Sequence, residues 1–228
     1  MTKNRSTESI YDELRMRILR NEFPADVKIN QNALAAELNV SRTPVVKALH
    51  MLKSEGLLDN TPNRGFQLHK TTLREVSELF MLRQSLEMIA SIHAAEYGTE
   101  EQFSKLSALF DEFLDQDEID ETSYREADKQ FHRLVISMCD NALMHRINES
   151  MHIMERSFLV GLLRPPHVTL KEHLDIIDAF RSHDIVRAQE ITRAHTEITK
   201  RHLQETERNL RRLGLNPESI PIQDALHK

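Results

Sequence analysis

Two groups of side chains in this sequence have the types and spacings that chemistry needs. Asp128 and His132 are four residues apart, so on a helix both project from one face about one turn apart. His173 and His195 follow on later segments, beside Glu172 and Thr196. One carboxylate and three imidazoles can bind a divalent transition metal and leave positions open for water or a ligand. The chain has 12 His, so ordinary surface or core roles compete with that reading at each position. The second group is Ser41, Arg42, Thr43 and Pro44, with Lys47 one turn further on. At a helix start the free N–H groups and the dipole favour phosphate, and side chains there reach base edges in a major groove.

The second group needs a short helix held at the correct angle, and residues 1–70 supply the pattern for it. Ile10, Leu14, Ile18 and Leu19 form one stripe over residues 8–20, which Pro24 stops. A short helix is expected over 31–38 around Leu34, Ala35 and Leu38, followed by a tight turn at Asn39-Val40. Ser41 is an N-cap for a helix over 42–54, with Pro44 tolerated in its first turn and Gly56 just past its end. Val45, Ala48, Leu49 and Leu52 recur at spacings of three and four and pack that helix inward. Leu57-Leu58, the polar run from Asn60 to Gly65, and Phe66 to His69 then read as a β-hairpin. Helix, turn, helix, hairpin is the order of a winged helix-turn-helix, with Arg64 and Gly65 at a wing tip suited to the minor groove.

The metal group needs long helices, and the pattern shifts to them from Thr71. Thr72 with Glu75, and Thr99 with Gln102, fit capping boxes. Gly98, Asn141, Pro165-Pro166 and Asp184 punctuate helices expected over 72–97, 99–116, 121–139, 142–163, 167–182 and 184–209. The methionines at 81, 88, 138, 144, 151 and 154 fall on helical stripes and are expected to fill core. His93, His145, His152, His167, His183 and His202 fit no ligand pattern and default to structural or solvent roles. The expected architecture is mainly α: a winged helix-turn-helix over 1–70, an all-helical bundle over 71–213, and a flexible tail over 214–228.

Composition agrees with a mainly helical chain: 5 Gly, 3 Tyr and no Trp argue against sheet-rich folds, which need turn glycines and strand aromatics. Residues 1–70 carry 11 Lys+Arg against 8 Asp+Glu, and the remainder 19 against 28, so a mildly basic head precedes an acidic body. The single cysteine, Cys139, excludes an internal disulfide and suits a reducing cytoplasm. No apolar run approaches the roughly 20 residues that span a bilayer, and Met1 to Ser9 lacks a signal peptide's apolar stretch. A cytoplasmic protein with no membrane partner is expected.

The stretch from Leu34 to Val45, Leu-Ala-Ala-Glu-Leu-Asn-Val-Ser-Arg-Thr-Pro-Val, closely resembles the DNA-binding head of the GntR family of bacterial regulators. Ile18-Leu19, Phe23-Pro24, Ala48-Leu49, Leu52, Glu55-Gly56-Leu57 and Arg64-Gly65 extend the resemblance over residues 8–69. Where the family commonly has Arg-Glu after Thr-Pro-Val, this chain has Val46-Lys47. Valine cannot make the arginine's hydrogen bonds, and Lys47, about 100° further round the helix, points elsewhere and is expected to meet phosphate. An operator different from the commonest family half-site is expected. Arg83, Leu86-Glu87, Asp128 to His132, Asn141, Glu172-His173, Asp184 and Ala194-His195 are similar to the FCD effector domain of the FadR-like branch.

That resemblance implies a metal, often zinc or nickel, held by Asp128, His132, His173 and His195. It also implies a small organic acid as effector, a homodimer on double-stranded operator DNA, and more often a repressor than an activator. An acyl-CoA effector is not expected, because that branch lacks the metal set. Arg83 is the candidate clamp for an effector carboxylate; its other role is a surface ion pair with Glu87, four residues on. Two rival readings remain. The metal could be purely structural in a body that only dimerises, or it could activate water in an enzyme, although no separate acid or base is identifiable for the latter.

Overall fold

The computed structural model describes residues 5–19, 22–23, 27–62, 65–151, 153–158, 161–218, 220 and 222. Pro24, Asn63 and Arg64 of the expected head, His152, and Pro221 of the expected tail lie outside the described residues. The chain divides into two compact units, residues 1–70 and 71–228.

In the first unit, α1 (Thr7–Leu19) buries Ile10, Leu14 and Ile18 and packs on α3 (Arg42–Ser54). Between them α2 (Gln31–Glu37) is started by Asn30, whose side chain accepts from the N–H groups of Asn32 and Ala33. Asn39 takes the left-handed conformation (φ 55°) that turns the chain tightly into α3. The apolar repeat of α3 is buried at Val45, Ala48, Leu49 and Leu52, so its opposite face carries the polar side chains outward. Gly56, at φ 73°, ends the helix as a C′ residue should. Strands β1 (Leu58–Thr61) and β2 (Gly65–Leu68) pair antiparallel with Thr61 opposite Gly65. Ile29 N–H donates to the Phe66 carbonyl, which ties the segment before α2 to the wing.

The second unit is helical. Helix α4 (Leu73–Tyr97) starts at a complete Thr72–Glu75 capping box and lies along α10 (Ile185–Arg212), which Asp184 caps. Polar side chains hydrogen-bond across part of the seam between them: Thr192 Oγ1 donates to Ser91 Oγ and Gln84 Nε2 to Thr196 Oγ1, each at 3.0 Å. Helix α5 (Glu100–Ala108) starts at the second capping box. Around this pair pack α6 (Glu121–Ser137) and α9 (Pro166–Arg181), with Phe103, Phe110, Phe113, Tyr124, Phe131 and Phe180 filling the core.

Three expected elements differ. The helix expected over 99–116 ends at Ala108 and tightens into a 3₁₀ turn at Asp111–Phe113. Its bonds there run from residue i to i−3, which keeps both Phe110 and Phe113 inward. The helix expected over 142–163 is helical where described at Ala142–Met151 (α7) and Ile153–Ser157 (α8), but it has left helix by Phe158, ahead of the left-handed Gly161 (φ 83°). Asn148 Oδ1 accepts from the Met154 N–H, which ties the start of α8 to α7. Residues 214–228, expected as a flexible tail, are docked where described. Ile222 is buried with Leu73, Val76, Phe80, Leu203 and Leu210, Leu73 N–H donates to the Ile220 carbonyl, and Ile222 N–H donates to Thr71. Apolar residues placed there gain more by burial than the chain end gains by staying free. Of the methionines, Met144 and Met154 fill core, whereas Met81 and Met151 are exposed.

Truncating Ile222 to Ala is expected to destabilise the helical unit by about 2 kcal/mol or more, as a buried large-to-small change does. Met81→Ala should stay within about 0.5 kcal/mol. Urea unfolding followed by helical signal checks both, and equal small effects would mean that the end segment does not stabilise the unit.

Candidate functional site

Helices α6, α9 and α10 each bring one imidazole to the middle of the helical unit. Among the described residues, His132, His173 and His195 form a buried group whose potential ligand atoms lie within 4.8 Å of one another. Asp128, one turn before His132 on α6, sets Oδ1 3.3 Å from His173 Nε2 and 3.7 Å from His132 Nε2. The spacing of four therefore puts the carboxylate against two of the three imidazoles, at the edge of the group.

Each imidazole is held from behind through Nδ1. His132 Nδ1 lies 2.9 Å from Glu87 Oε1, His195 Nδ1 lies 2.6 Å from Glu172 Oε2, and His173 Nδ1 lies 3.2 Å from the Tyr124 hydroxyl. A carboxylate on Nδ1 fixes the tautomer with the proton there, which leaves Nε2 with its lone pair. The Nε2 atoms of His132 and His173 are buried with no hydrogen-bond partner. Native structures rarely leave such atoms orphaned, and a cation bound between them would satisfy both. The donor set fits a divalent transition metal: neutral imidazoles plus one carboxylate, each oriented by a second group.

Electrostatics keep two of the three imidazoles neutral and the carboxylates ionised, the states that bind metal, and act the other way on His132. Burial and the neighbouring His195 hold His173 well below the usual imidazole range, and burial likewise lowers His195 despite Glu172. Burial and Arg83 also oppose charge on His132, but Glu87 and Asp128 outweigh them and raise its pKa. Burial alone would raise the carboxylates. Arg83 and His132 instead hold Glu87 far below its ordinary value, and His132 and His173 do the same for Asp128. Glu172 is drawn down to about 2 by His195 and Arg164, again against burial.

Arg83, placed above either as a clamp or in a surface pair, is buried at 5% exposure. Its Nε donates to Glu87 Oε1 at 2.6 Å and its guanidinium stacks 4.5 Å from the Phe158 ring centroid. The pair with Glu87 is therefore not a surface pair. Arg83 also lines a cavity of about 40 Å³ with Asp128, His132, His195, Arg164 and Thr199. Phe158 and the stretch from Gly161 to Arg164, after the end of α8, form one wall of it.

Sequence reasoning missed Arg164 and Tyr124 and gave Glu87 and Glu172 no role in holding imidazoles. Arg164 grips Glu172 with both terminal nitrogens, Nη1 to Oε2 at 2.6 Å and Nη2 to Oε1 at 2.5 Å. The only linear signal was the adjacency of Glu172 to His173, yet Glu172 serves His195 on another helix. Asn141 and Asp184 are caps: Asn141 Oδ1 accepts from Met144 N–H and Asp184 Oδ1 from Arg187 N–H.

In the first unit, Ser41, Arg42, Thr43 and Lys47 are exposed at the start of α3, Pro44 and Val46 are partly buried, and the Ser41 side chain makes no cap hydrogen bond. Gly65 opens β2 at φ 71°, and a Cβ there would come within 2.9 Å of Lys28 Cε. Lys28 is exposed and lines one groove with Asn30, Gln31, Asn32 and Arg42. It was not singled out in the sequence because it belongs to no helical or strand pattern. The two groups of candidate residues stand in separate units.

The chain matches two family models, the gntR family of bacterial regulatory proteins over residues 6–68 and the FCD domain over 78–198. It is 26% identical over 196 residues to the HTH-type transcriptional repressor RspR of Escherichia coli (strain K12), covering 83% of this chain and 84% of that protein. It is 28% identical over 163 residues to the gluconate operon transcriptional repressor of Bacillus subtilis (strain 168), covering 70% and 65% respectively. A GntR transcriptional regulator from Rhodococcus sp. RHA1 shares the fold at a TM-score of 0.73 and 21% identity, over 87% of this chain and 97% of that one. With a winged helix-turn-helix in the first unit and a helical body that matches the FCD model, the chain belongs to the GntR family of DNA-binding transcription regulators, in the FadR-like architecture.

Proposed function

We propose that the chain is a homodimeric repressor whose occupancy of operator DNA is controlled by a small organic acid at a divalent metal, zinc or nickel, in the helical body. The observation that carries this reading is the buried trio of imidazoles, with two Nε2 atoms lacking partners and each Nδ1 held from behind. Asp128, His132, His173 and His195 would hold the metal. A bound divalent cation supplies a Lewis-acidic attachment point for a carboxylate oxygen. Arg83 and Arg164 border the same cavity and bring the guanidinium groups that recognise carboxylates. The effector changes occupancy only by binding two arrangements of the body with different affinity. Two relatives are named as repressors, one of a gluconate operon, which supports both the direction of control and an acid as signal. Among the described residues no helix is long and apolar enough to cross a membrane, and the one cysteine is free and buried, as suits a cytoplasmic regulator.

A structural metal in a body that only dimerises is the second reading, favoured by the small size of the cavity, about 40 Å³. Thermal melting with and without chelator, in the presence of millimolar organic acids, separates the two. A ligand that binds only the folded state raises melting by mass action. Melting that moves with metal but with no acid would leave the structural role.

Purified protein should carry one equivalent of zinc or nickel per chain by elemental mass spectrometry. His173→Ala should abolish binding, and Glu172→Gln should weaken it by about 10- to 100-fold, the usual cost of losing the group behind a ligating histidine. A wild-type protein that takes up neither metal in calorimetry would end the metal reading.

Arg83→Met leaves the Glu87 carboxylate buried beside His132 alone and should cost about 3–5 kcal/mol of stability. The double variant Arg83→Met/Glu87→Met should cost less, because no charge is then stranded. Loss of the acid-induced melting shift in the double variant, with metal retained, assigns Arg83 to the effector as well.

In the head, Ser41, Arg42, Thr43, Pro44, Lys47, Gly65 and Arg64 are proposed to contact operator DNA, joined by Lys28 beside the wing. Lys47→Ala and Lys28→Ala should each lower the slope of log affinity against log salt by about one, as loss of a phosphate contact does. Val46→Arg should change the sequence recovered when the protein selects duplexes from a randomised pool. Unchanged slopes and an unchanged selected sequence would remove these assignments.

A further inference from the structure

Arg42 does not stand free at the start of α3. Its Nε and Nη2 both donate to a single acceptor, Gln31 Oε1, at 3.1 and 2.8 Å. Gln31 is the first residue of α2, and its own position is set by the preceding residue: Asn30 caps α2 by accepting from the N–H groups of Asn32 and Ala33, both at 3.1 Å. Ser41, at the N-cap of α3, makes no side-chain cap bond. Thus one edge of an exposed, long and rotamer-rich side chain is fastened by the other helix of the helix-turn-helix.

A guanidinium has two hydrogen-bonding edges. With Nε and one N–H of Nη2 occupied, both N–H groups of Nη1 and the second of Nη2 remain, which is the end-on fork that pairs with two neighbouring acceptors. That fork matches the O6 and N7 atoms of a guanine edge or two oxygens of a phosphate. The acceptor is a neutral amide, so Arg42 keeps its full charge, whereas a carboxylate at position 31 would cancel it. Fixing the side chain before DNA arrives removes part of the entropy that binding otherwise costs.

We propose that Gln31 is a positioning residue for DNA recognition, which holds Arg42 by its Nε/Nη2 edge so that the opposite fork meets the DNA. The inference rests on the reading that Arg42 contacts operator DNA. It predicts that Gln31 acts through Arg42 and not by touching DNA itself.

The test uses full-length protein and a duplex that the wild type selects from a randomised pool. Gln31→Met, similar in length but without an acceptor, should weaken binding by about three- to ten-fold, the cost of ordering one long side chain. Its melting temperature and its salt slope should stay as in the wild type, because the charge remains. In an Arg42→Ala background the same Gln31→Met change should have no further effect. Gln31→Glu keeps both hydrogen bonds but cancels the charge, so its loss should shrink as salt rises. If Gln31→Met weakens Arg42→Ala as much as it weakens the wild type, or leaves wild-type binding intact, the positioning role is overturned while the assignment of Arg42 stands. If Arg42→Ala alone binds like the wild type, the assignment of Arg42 falls, and the inference with it. A loss equal on selected and unrelated duplexes places the fork on phosphate, and a loss confined to the selected duplex places it on a base; either supports the positioning role.

Discussion

Three buried imidazoles whose potential ligand atoms lie within 4.8 Å of one another cannot all carry charge, and much of the helical body follows from that constraint. Charge on His173 and His195 is suppressed by burial, so these rings stay neutral and keep their lone pairs. Neutral rings would still rotate unless something behind them chose a tautomer. Glu87 and Glu172 do so for His132 and His195, and the Tyr124 hydroxyl anchors His173, each from a different helix than the ring it holds. Glu87 is in turn a buried charge and Glu172 a half-buried one, and Arg83 and Arg164 supply their partners. Each group at the centre is thus compensated by one further out, until the chain of contacts reaches the cavity wall.

The interruptions of the fold belong to the same arrangement. Had the segment from 142 to 163 run as one helix, the residues from Phe158 to Arg164 would have wound past the site on several faces. Leaving helix after Ser157 lets Phe158 stack on Arg83 and lets Arg164 turn back onto Glu172. Similarly, the 3₁₀ turn after α5 keeps Phe110 stacked on His173, 5.1 Å between ring centroids. An aromatic wall around the imidazoles excludes water, which strengthens the ion pairs and raises the cost of leaving any of them unmade.

The head follows a different logic. Its core is conventional, and its chemistry is all on the surface, at the start of α3 and beside the wing. What the structure adds there is the setting of side chains by neighbours: Arg42 by Gln31, and Lys28 by the glycine that leaves room for it. Long basic side chains on a surface are usually mobile, so such contacts decide which of their donors are presented.

The set of four candidate metal ligands rests on the family resemblance; the sequence by itself determined the two-part organisation, the start and end of α3, both capping boxes and the wing. All of these are local or periodic signals: a cap and its partner lie three residues apart, and an amphipathic stripe repeats within two turns. Even the Asp128–His132 pair is local, since both lie on one face of one helix. What only the tertiary structure decided was long-range. That Glu172 serves His195 and not its neighbour His173, that Arg164 holds Glu172, and that Arg83 is buried depend on how helices pack. Spacing along the chain carries no record of that. The docking of Ile222 against Leu73 and the end of α8 at Ser157 were hidden for the same reason. A proline-bearing tail and a continuous apolar stripe have the same local appearance whether or not a distant surface receives them.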